Sequence, residues 1–208
     1  MRIVLTRPEG RNEPLAQRLR ELGHTVECVP LIAVEPLGDA PIDVSSYDWV
    51  IVTSVIGARE LKRRASERPR CVAAIGRATA EAFGGADLVA EVSTQEGLLA
   101  ELPRPAGRVL FAGAEGARRL LVDELGADFV PLYRTHELRP STPIAGDLVV
   151  LASASAARAF GALGSRIPVV SIGPETTVAA EAAGVLVVGE ALEHDLEGLV
   201  DAVIAATR

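Results

Sequence analysis

The feature that most constrains the fold of this 208-residue chain is an internal repeat. The segment DWVIVTSVIGAREL at residues 48–61 matches DLVVLASASAARAF at residues 147–160 at one constant offset. Downstream, AIGRATA matches SIGPETT, and Glu-Gly-Leu recurs in STQEGLLAEL and HDLEGLVDAV. Three matched segments in the same order indicate two copies of one structural unit.

A fourth match lies out of order. RIVLTRPEG followed by LGHTVECVPL at the start of the chain resembles RVLFAGAEG followed by LGADFVPLY in its middle. One copy is therefore continuous and the other is interrupted by it. We predict a discontinuous lobe of residues 1–37 plus 138–208 and a continuous lobe of residues 38–137. The proline-bearing connections at residues 33–46 and 134–146 favour extended backbone, because proline fixes φ and restricts its predecessor.

Ten short apolar runs, rich in valine and isoleucine, alternate with helical patterns along the chain. Apolar runs without polar alternation are typical of parallel strands covered on both faces, with helices as the crossovers. The prediction is an α/β protein of two lobes, each with a parallel five-stranded sheet, joined by two extended connections with a cleft between them. The alternative is one ten-stranded sheet with accidental similarity between its halves.

Composition narrows the class of partner. The formal net charge of −7 disfavours a general nucleic-acid or anionic-membrane surface, since phosphate binding needs a basic face. No apolar run approaches the length of a membrane span, and the first residues do not resemble a signal peptide. Two isolated cysteines fit a reducing compartment, and three histidines at unrelated spacings give no metal-ligand pattern. We expect a cytoplasmic protein that binds neither nucleic acid nor membrane and holds no metal.

Ligands of parallel sheets bind outside the carboxyl ends of the strands, where loops lead into helix N-termini. Hydroxyl and glycine residues dominate these positions, and with the helix N–H groups they favour a carboxylate or phosphate. The matched segments AIGRATA and SIGPETT each contain a Gly-x-x-Thr turn between a strand and a helix, which we call an elbow. A single elbow is what any strand-to-helix turn needs, so the functional interpretation depends on its recurrence in both lobes. For Arg7, a salt bridge to a neighbouring acidic residue remains the alternative to ligand binding. The candidate binding residues are Arg7, Ser54, Thr79, Ser153, Ser155, Gly173 and Thr176.

Tyr133, in VPLYRTHEL, ends the last strand of the middle lobe, where the return connection begins. The chain has only two tyrosines, which makes a phenol at this junction a notable feature. The alternative is a core aromatic that covers the edge of the sheet.

Taken in order, VLTRPEG, YDWVIVTS, AIGRATA, VPLYRT, SIGPETT and DLEGLVDAV resemble the uroporphyrinogen-III synthase family across essentially the whole chain. The resemblance implies two flavodoxin-like lobes and no cofactor. It implies a linear tetrapyrrole substrate, hydroxymethylbilane, cyclised with loss of water and inversion of ring D to uroporphyrinogen III in haem biosynthesis. Tyr133 matches the tyrosine of the family's Y-x-T segment and is the candidate to assist hydroxyl departure. The chain departs from the family pattern in VLASASAA, where Ala152 stands in place of threonine.

Two other function classes remain open at this point. One is a non-catalytic binding or sensor module for a tetrapyrrole or a small anion, and the other is a flavin-binding protein, which the scarcity of aromatic residues disfavours. We expect a monomer, because the internal duplication already supplies the two-sided cleft that a dimer would otherwise form.

Overall fold

The computed structural model describes residues 1–207, which contain eleven strands and eight helices. In chain order they are β1 (Arg2–Leu5), α1 (Glu13–Glu21), β2 (Thr25–Cys28), β3 (Ile32–Pro36), β4 (Trp49–Val52), α2 (Val55–Arg64), β5 (Val72–Ala74), α3 (Arg77–Phe83), β6 (Leu88–Val89), α4 (Gln95–Glu101), β7 (Val109–Ala114), α5 (Leu120–Leu125), β8 (Asp128–Glu137), β9 (Leu148–Leu151), α6 (Ala154–Gly161), β10 (Val169–Ser171), α7 (Pro174–Ala182), β11 (Val187–Glu190) and α8 (Leu196–Ala206).

Two compact units divide the described chain. The first is made of residues Met1–Val34 and the chain from His136 onward, and the second is Glu35–Thr135. The domain boundaries predicted from the repeat remain a prediction, because a division into compact units does not test whether each unit folds by itself. No helix within residues 1–207 has the length and apolar character needed to cross a membrane.

The sheet of the first unit has the order β11-β10-β9-β1-β2, and its neighbouring strands are all parallel. Counted along this unit alone, the order is 2-1-3-4-5, which is the flavodoxin-like order. Strand β1 shows why the sheet is covered on both faces. Ile3 and Leu5 join a core with residues of α1 and α8, whereas Val4 joins a second core with residues of α6 and α7. The α/β prediction of flavodoxin-like sheets is confirmed.

The sheet of the second unit has the order β3-β8-β7-β4-β5-β6. If β7 and β8 are counted first, the five strands other than β3 again read 2-1-3-4-5, so the permutation inferred from the sequence is present in the strand order. The core on one face of this sheet contains Ile51, Ala73 and Phe111, with Leu98 of α4 and Leu121 of α5.

The prediction of five strands in each sheet is wrong for the second unit, which has six. The added strand is β3, part of the first proline-bearing connection. The Leu37 N–H donates to the Leu132 carbonyl and the Leu138 N–H donates to the Leu31 carbonyl, both at 2.8 Å, so β3 runs antiparallel to β8. The outer edge of β8 offers unpaired backbone groups, and an extended segment beside it satisfies them.

The recurring Glu-Gly-Leu has a backbone explanation. Thr94 and Asp195 cap α4 and α8, and their side chains accept from the Gly97 and Gly198 N–H groups at 3.0 and 2.9 Å. A Cβ at Gly97 would lie 2.1 Å from the Val92 carbonyl oxygen, and one at Gly198 would lie 1.9 Å from that of Glu193. Only glycine fits at either position, so this part of the repeat is structural.

Candidate functional site

In the second unit, Ser54 lies directly after β4 and caps α2. Its Oγ accepts a hydrogen bond from the Gly57 N–H at 2.9 Å, which satisfies one of the open donors of the helix. Gly57 is buried, and a Cβ there would lie 3.1 Å from Ser54 Oγ. The serine hydroxyl is thus fixed by the backbone of the helix that it caps.

The hydroxyl of Tyr133 lies 3.0 Å from Ser54 Oγ, and either oxygen can donate. Tyr133 is on β8 and only 7% exposed, while Ser54 follows β4; strand β7 lies between them in the sheet. The phenol therefore reaches across one strand. The register of β7 and β8 shifts between Gly113 and Ala114, which places Ala114 opposite Tyr133. Such an irregularity changes the face to which the following side chain points.

The backbone beside Tyr133 is held from the β7 side. The Glu115 N–H donates to the Tyr133 carbonyl at 2.8 Å, and the Arg134 guanidinium donates to both oxygens of Glu115 at 2.6 and 2.8 Å. The Glu115 carboxylate raises the pKa of Arg134 above its usual range. These contacts join the end of β8 to the loop after β7 and limit the positions that the phenol can take.

The two elbows are built alike, with Gly76 capping α3 and Gly173 capping α7. Thr79 and Thr176 follow three residues later and are 5% and 4% exposed. Their N–H groups donate to the carbonyls of the elbow glycines at 3.1 and 3.0 Å. Within residues 1–207, the hydroxyl groups of both threonines have no hydrogen-bond partner. Neither oxygen is among the fully enclosed unpartnered atoms, so each keeps a small exposure to solvent.

Each elbow glycine has a side chain lying against it. A Cβ at Gly76 would lie 2.9 Å from Ser93 Oγ, and one at Gly173 would lie 2.8 Å from both Cδ2 and Nε2 of His194. Ser93 and His194 were not among the candidates predicted from the sequence, although they begin the matched segments STQEGLLAEL and HDLEGLVDAV. Their equivalent positions in the repeat were the available signal. A Cβ at either glycine would displace the neighbouring side chain, so a ligand is not needed to explain the two glycines.

In the first unit, the candidates lie after three neighbouring strands, β10, β9 and β1. Ser153 caps α6, its Oγ accepts from the Ala156 N–H at 3.2 Å, and Ser155 Oγ lies 3.1 Å from it. The half-buried Arg7 follows β1, and its carbonyl accepts from Asn12 Nδ2 at 3.0 Å. The strands are parallel, so their carboxyl ends lie at the same end of the sheet. That end therefore holds Arg7, Ser153, Ser155, Gly173 and Thr176.

A chain of hydrogen bonds supports the elbow of α7. Thr177 Oγ1 donates to the carboxylate of Glu190, and it lies 2.6 Å from Ser171 Oγ. The single proton of Thr177 goes to Glu190, so Ser171 is the donor in the other bond. This chain joins the first turn of α7 to the ends of β10 and β11.

The arrangement can supply proton transfer and anion binding. A buried phenol has a hydroxyl partner, and helix N-termini with open threonine or serine hydroxyls can accept carboxylates. Within residues 1–207, no group of three or more histidine, cysteine, aspartate or glutamate side chains is arranged to hold a metal ion.

Comparison with known proteins gives one consistent family. The family model described as "Uroporphyrinogen-III synthase HemD" matches residues 13–201. A relative named uroporphyrinogen-III synthase, from Synechococcus elongatus, is 26% identical over 97% of this chain and 93% of its own. The fold is similar to the crystal structure of a mutant uroporphyrinogen III synthase from the extremely thermophilic bacterium Thermus thermophilus. The TM-score is 0.67 at 17% identity, over 100% of this chain and 98% of the other.

Proposed function

The chain belongs to the uroporphyrinogen-III synthase family of cyclising lyases in tetrapyrrole biosynthesis, and we propose how its own residues carry out that reaction. The substrate is the linear tetrapyrrole hydroxymethylbilane, and the product is uroporphyrinogen III with ring D inverted. We assign Tyr133 as the general acid of this reaction because its phenol is buried and hydrogen-bonded to Ser54 at 3.0 Å.

Tyr133 acts as the general acid in the first step. The bond between the terminal CH₂ carbon and the hydroxyl oxygen breaks, and its electron pair leaves with oxygen, which takes the phenol proton and departs as water. The pyrrole nitrogen of ring A supplies the electron pair for the new exocyclic double bond. A positioned acid of this kind contributes roughly 100- to 10,000-fold in rate.

Ring D then attacks the electrophilic carbon through its substituted position, and the resulting spiro intermediate fragments and recloses at the other pyrrole carbon. No nucleophile from the protein is required. The proton that ring D loses when its aromaticity is restored returns to the Tyr133 phenolate, so the net change is the loss of one water. The main contribution of the chain is to confine the bilane in the geometry that leads to inversion.

The carboxylates of the bilane bind at the strand-to-helix turns. In the first unit we propose Arg7, Ser153, Ser155, Gly173 and Thr176 as the contacts, and in the second unit Thr79. Ser54, which the sequence also predicted as a contact, has a single proton, and its place beside the Tyr133 hydroxyl favours a role at the phenol instead. The two threonine hydroxyls support the proposed contacts, because they are not fully enclosed and bond to nothing within residues 1–207. Backbone N–H groups at the N-termini of helices attract anions without a basic surface, which suits a chain of net charge −7.

The alternative of a non-catalytic binding or sensor module is not favoured, because the family match spans residues 13–201. We further propose that the protein is a monomer and works in the cytoplasm. Both cysteines are free thiols, which suits a reducing compartment.

Turnover of Tyr133→Phe tests the assignment of the acid. Phenylalanine keeps the packing of the ring but has no proton to give, so we expect kcat for bilane consumption to fall at least about 100-fold with little change in KM. Wild-type turnover by Tyr133→Phe, with unchanged isomer purity of the product, would show that another group supplies the proton.

A further inference from the structure

We propose that Ser54 is a positioning residue whose hydroxyl donates to the Tyr133 oxygen as the phenol loses its proton. The inference rests on the proposed role of Tyr133 and adds to it a second residue that acts through the phenol. Its basis is the pair of hydrogen bonds at Ser54 Oγ, one from the Gly57 N–H and one shared with Tyr133.

The proton count at this pair determines the direction of the bond. The Gly57 N–H can only donate, so it occupies one lone pair of Ser54 Oγ at 2.9 Å. Before reaction, either hydroxyl can donate across the 3.0 Å to Tyr133. Once Tyr133 has given its proton to the leaving hydroxyl, its oxygen has none left. Ser54 must then be the donor, and its proton has no competing acceptor in the pair.

The bond therefore becomes stronger during the reaction. In the resting state it joins two neutral hydroxyls, and at the transition state it joins a hydroxyl to a developing phenolate. Charge-assisted bonds are roughly twice as strong as neutral ones. Only an interaction that is stronger in the transition state than in the ground state raises kcat. Tyr133 is 7% exposed, and limited access of water preserves the strength of this bond.

Helix α2 contributes in the same direction. It has ten residues, Val55–Arg64, and Ser54 is its N-cap. The N-terminus of a helix carries partial positive charge, which favours an anionic oxygen nearby. Because the Gly57 N–H holds Ser54 Oγ, the serine oxygen stays in place when the charge develops, and only its proton has to point to the phenol.

The first unit lacks this pairing. Ser153 occupies the equivalent cap of α6, but its side-chain partner is Ser155 Oγ at 3.1 Å and not a phenol. Ile56 occupies the position in the second unit that matches Ser155. The two caps have the same helix-capping role, and only Ser54 is joined to a candidate acid.

Three replacements of Ser54 separate the proposed role from helix capping. Ser54→Ala loses both the cap and the donor, Ser54→Thr keeps both, and Ser54→Asp keeps the cap but has no proton to donate near neutral pH. Thr94→Ala is the matched control, because Thr94 caps α4 through the same bond to Gly97 and is not part of the proposed site.

We expect Ser54→Ala to lower kcat roughly 10- to 100-fold with KM nearly unchanged, since the lost bond is to a charged group. Ser54→Thr should recover most of the loss. Ser54→Asp should keep the melting temperature of the wild type and still be at least as slow as Ser54→Ala. Thr94→Ala should lower the melting temperature without lowering kcat.

A double-mutant cycle with Tyr133→Phe completes the test. With the phenol absent, Ser54→Ala should have little further effect on kcat. The proposal is overturned if Ser54→Asp is as active as Ser54→Thr, if Ser54→Ala has wild-type kcat, or if it slows Tyr133→Phe as much as it slows the wild type. A fully active Tyr133→Phe would instead overturn the role of Tyr133 and this proposal with it.

Discussion

Tyr133 lies on β8, and its hydroxyl is hydrogen-bonded to that of Ser54. Its position at the end of a strand is readable in VPLYRT, but its hydrogen bond to Ser54 is not. That bond depends on the order β8-β7-β4 and on the register shift at Gly113 and Ala114, which no local pattern encodes. A register shift arises from how two distant strands pair, so the sequence could predict the residue and not its partner.

The threonine hydroxyls of the candidate site allow a test of binding separate from stability. Thr176→Val and Thr79→Val keep shape and remove hydroxyls that bond to nothing within residues 1–207. We expect both variants to keep the free energy of unfolding within about 0.5 kcal/mol and to raise KM for the bilane several-fold. Urea unfolding and initial rates measure the two effects.

The matched control is Thr6→Val. Thr6 is fully buried, and its Oγ1 donates to the Val150 carbonyl at 2.8 Å, so this replacement should cost about 1 to 2 kcal/mol of unfolding free energy. Its KM should stay at the wild-type value. Destabilisation of the Thr176 variant to the same extent as the Thr6 variant, with no change in KM, would argue for a purely structural threonine.

At the scale of elements, the repeat predicted which segments correspond but could not separate structural from functional matches. Glu-Gly-Leu recurs because a backbone carbonyl lies against each glycine, whereas the elbow glycines have the side chain of Ser93 or His194 against them. In both cases the contact is with the loop that precedes α4 or α8. A sequence shows that such positions are kept in both copies, but not what touches them.

The first turn of α4 is joined to the loop after β7 by an ion pair. Arg118 donates to both carboxylate oxygens of Glu96 at 2.8 and 3.0 Å, and this lowers the Glu96 pKa from its ordinary value to about 2. Because the pKa is lower in the folded state, the pair stabilises the fold above the unfolded pKa near 4.5. That contribution is lost as the pH falls through about 2.

We therefore expect Glu96→Gln to lower the free energy of unfolding at pH 7 by less than about 1 kcal/mol, because the pair is half exposed. The difference from wild type should shrink as the pH is lowered from 4.5 towards 2, and denaturant titrations across this range measure it. A difference that grew on acidification would contradict this assignment of the ion pair.

At the scale of the whole molecule, the permuted order of the matched segments was enough to predict two lobes with parallel sheets, whereas the flavodoxin-like order was expected from the family resemblance. The sixth strand of the second sheet was missed because β3 lies in a proline-bearing connection. Its pairing with β8 depends on an open sheet edge that exists only after folding.

The internal duplication also leads us to expect a monomer, since two copies of the unit already lie in one chain. Light scattering at working concentration should give a mass near 21.8 kDa. A mass of twice this value that persisted on dilution would overturn the proposal.

The most direct test of the central claim is the isomer of the product. Freshly prepared hydroxymethylbilane would be incubated with the purified chain, and the oxidised porphyrins would be separated chromatographically. Confinement of the bilane predicts uroporphyrinogen III as the main product, formed much faster than in the absence of protein. Formation of only the uninverted isomer, at the uncatalysed rate, would contradict the account.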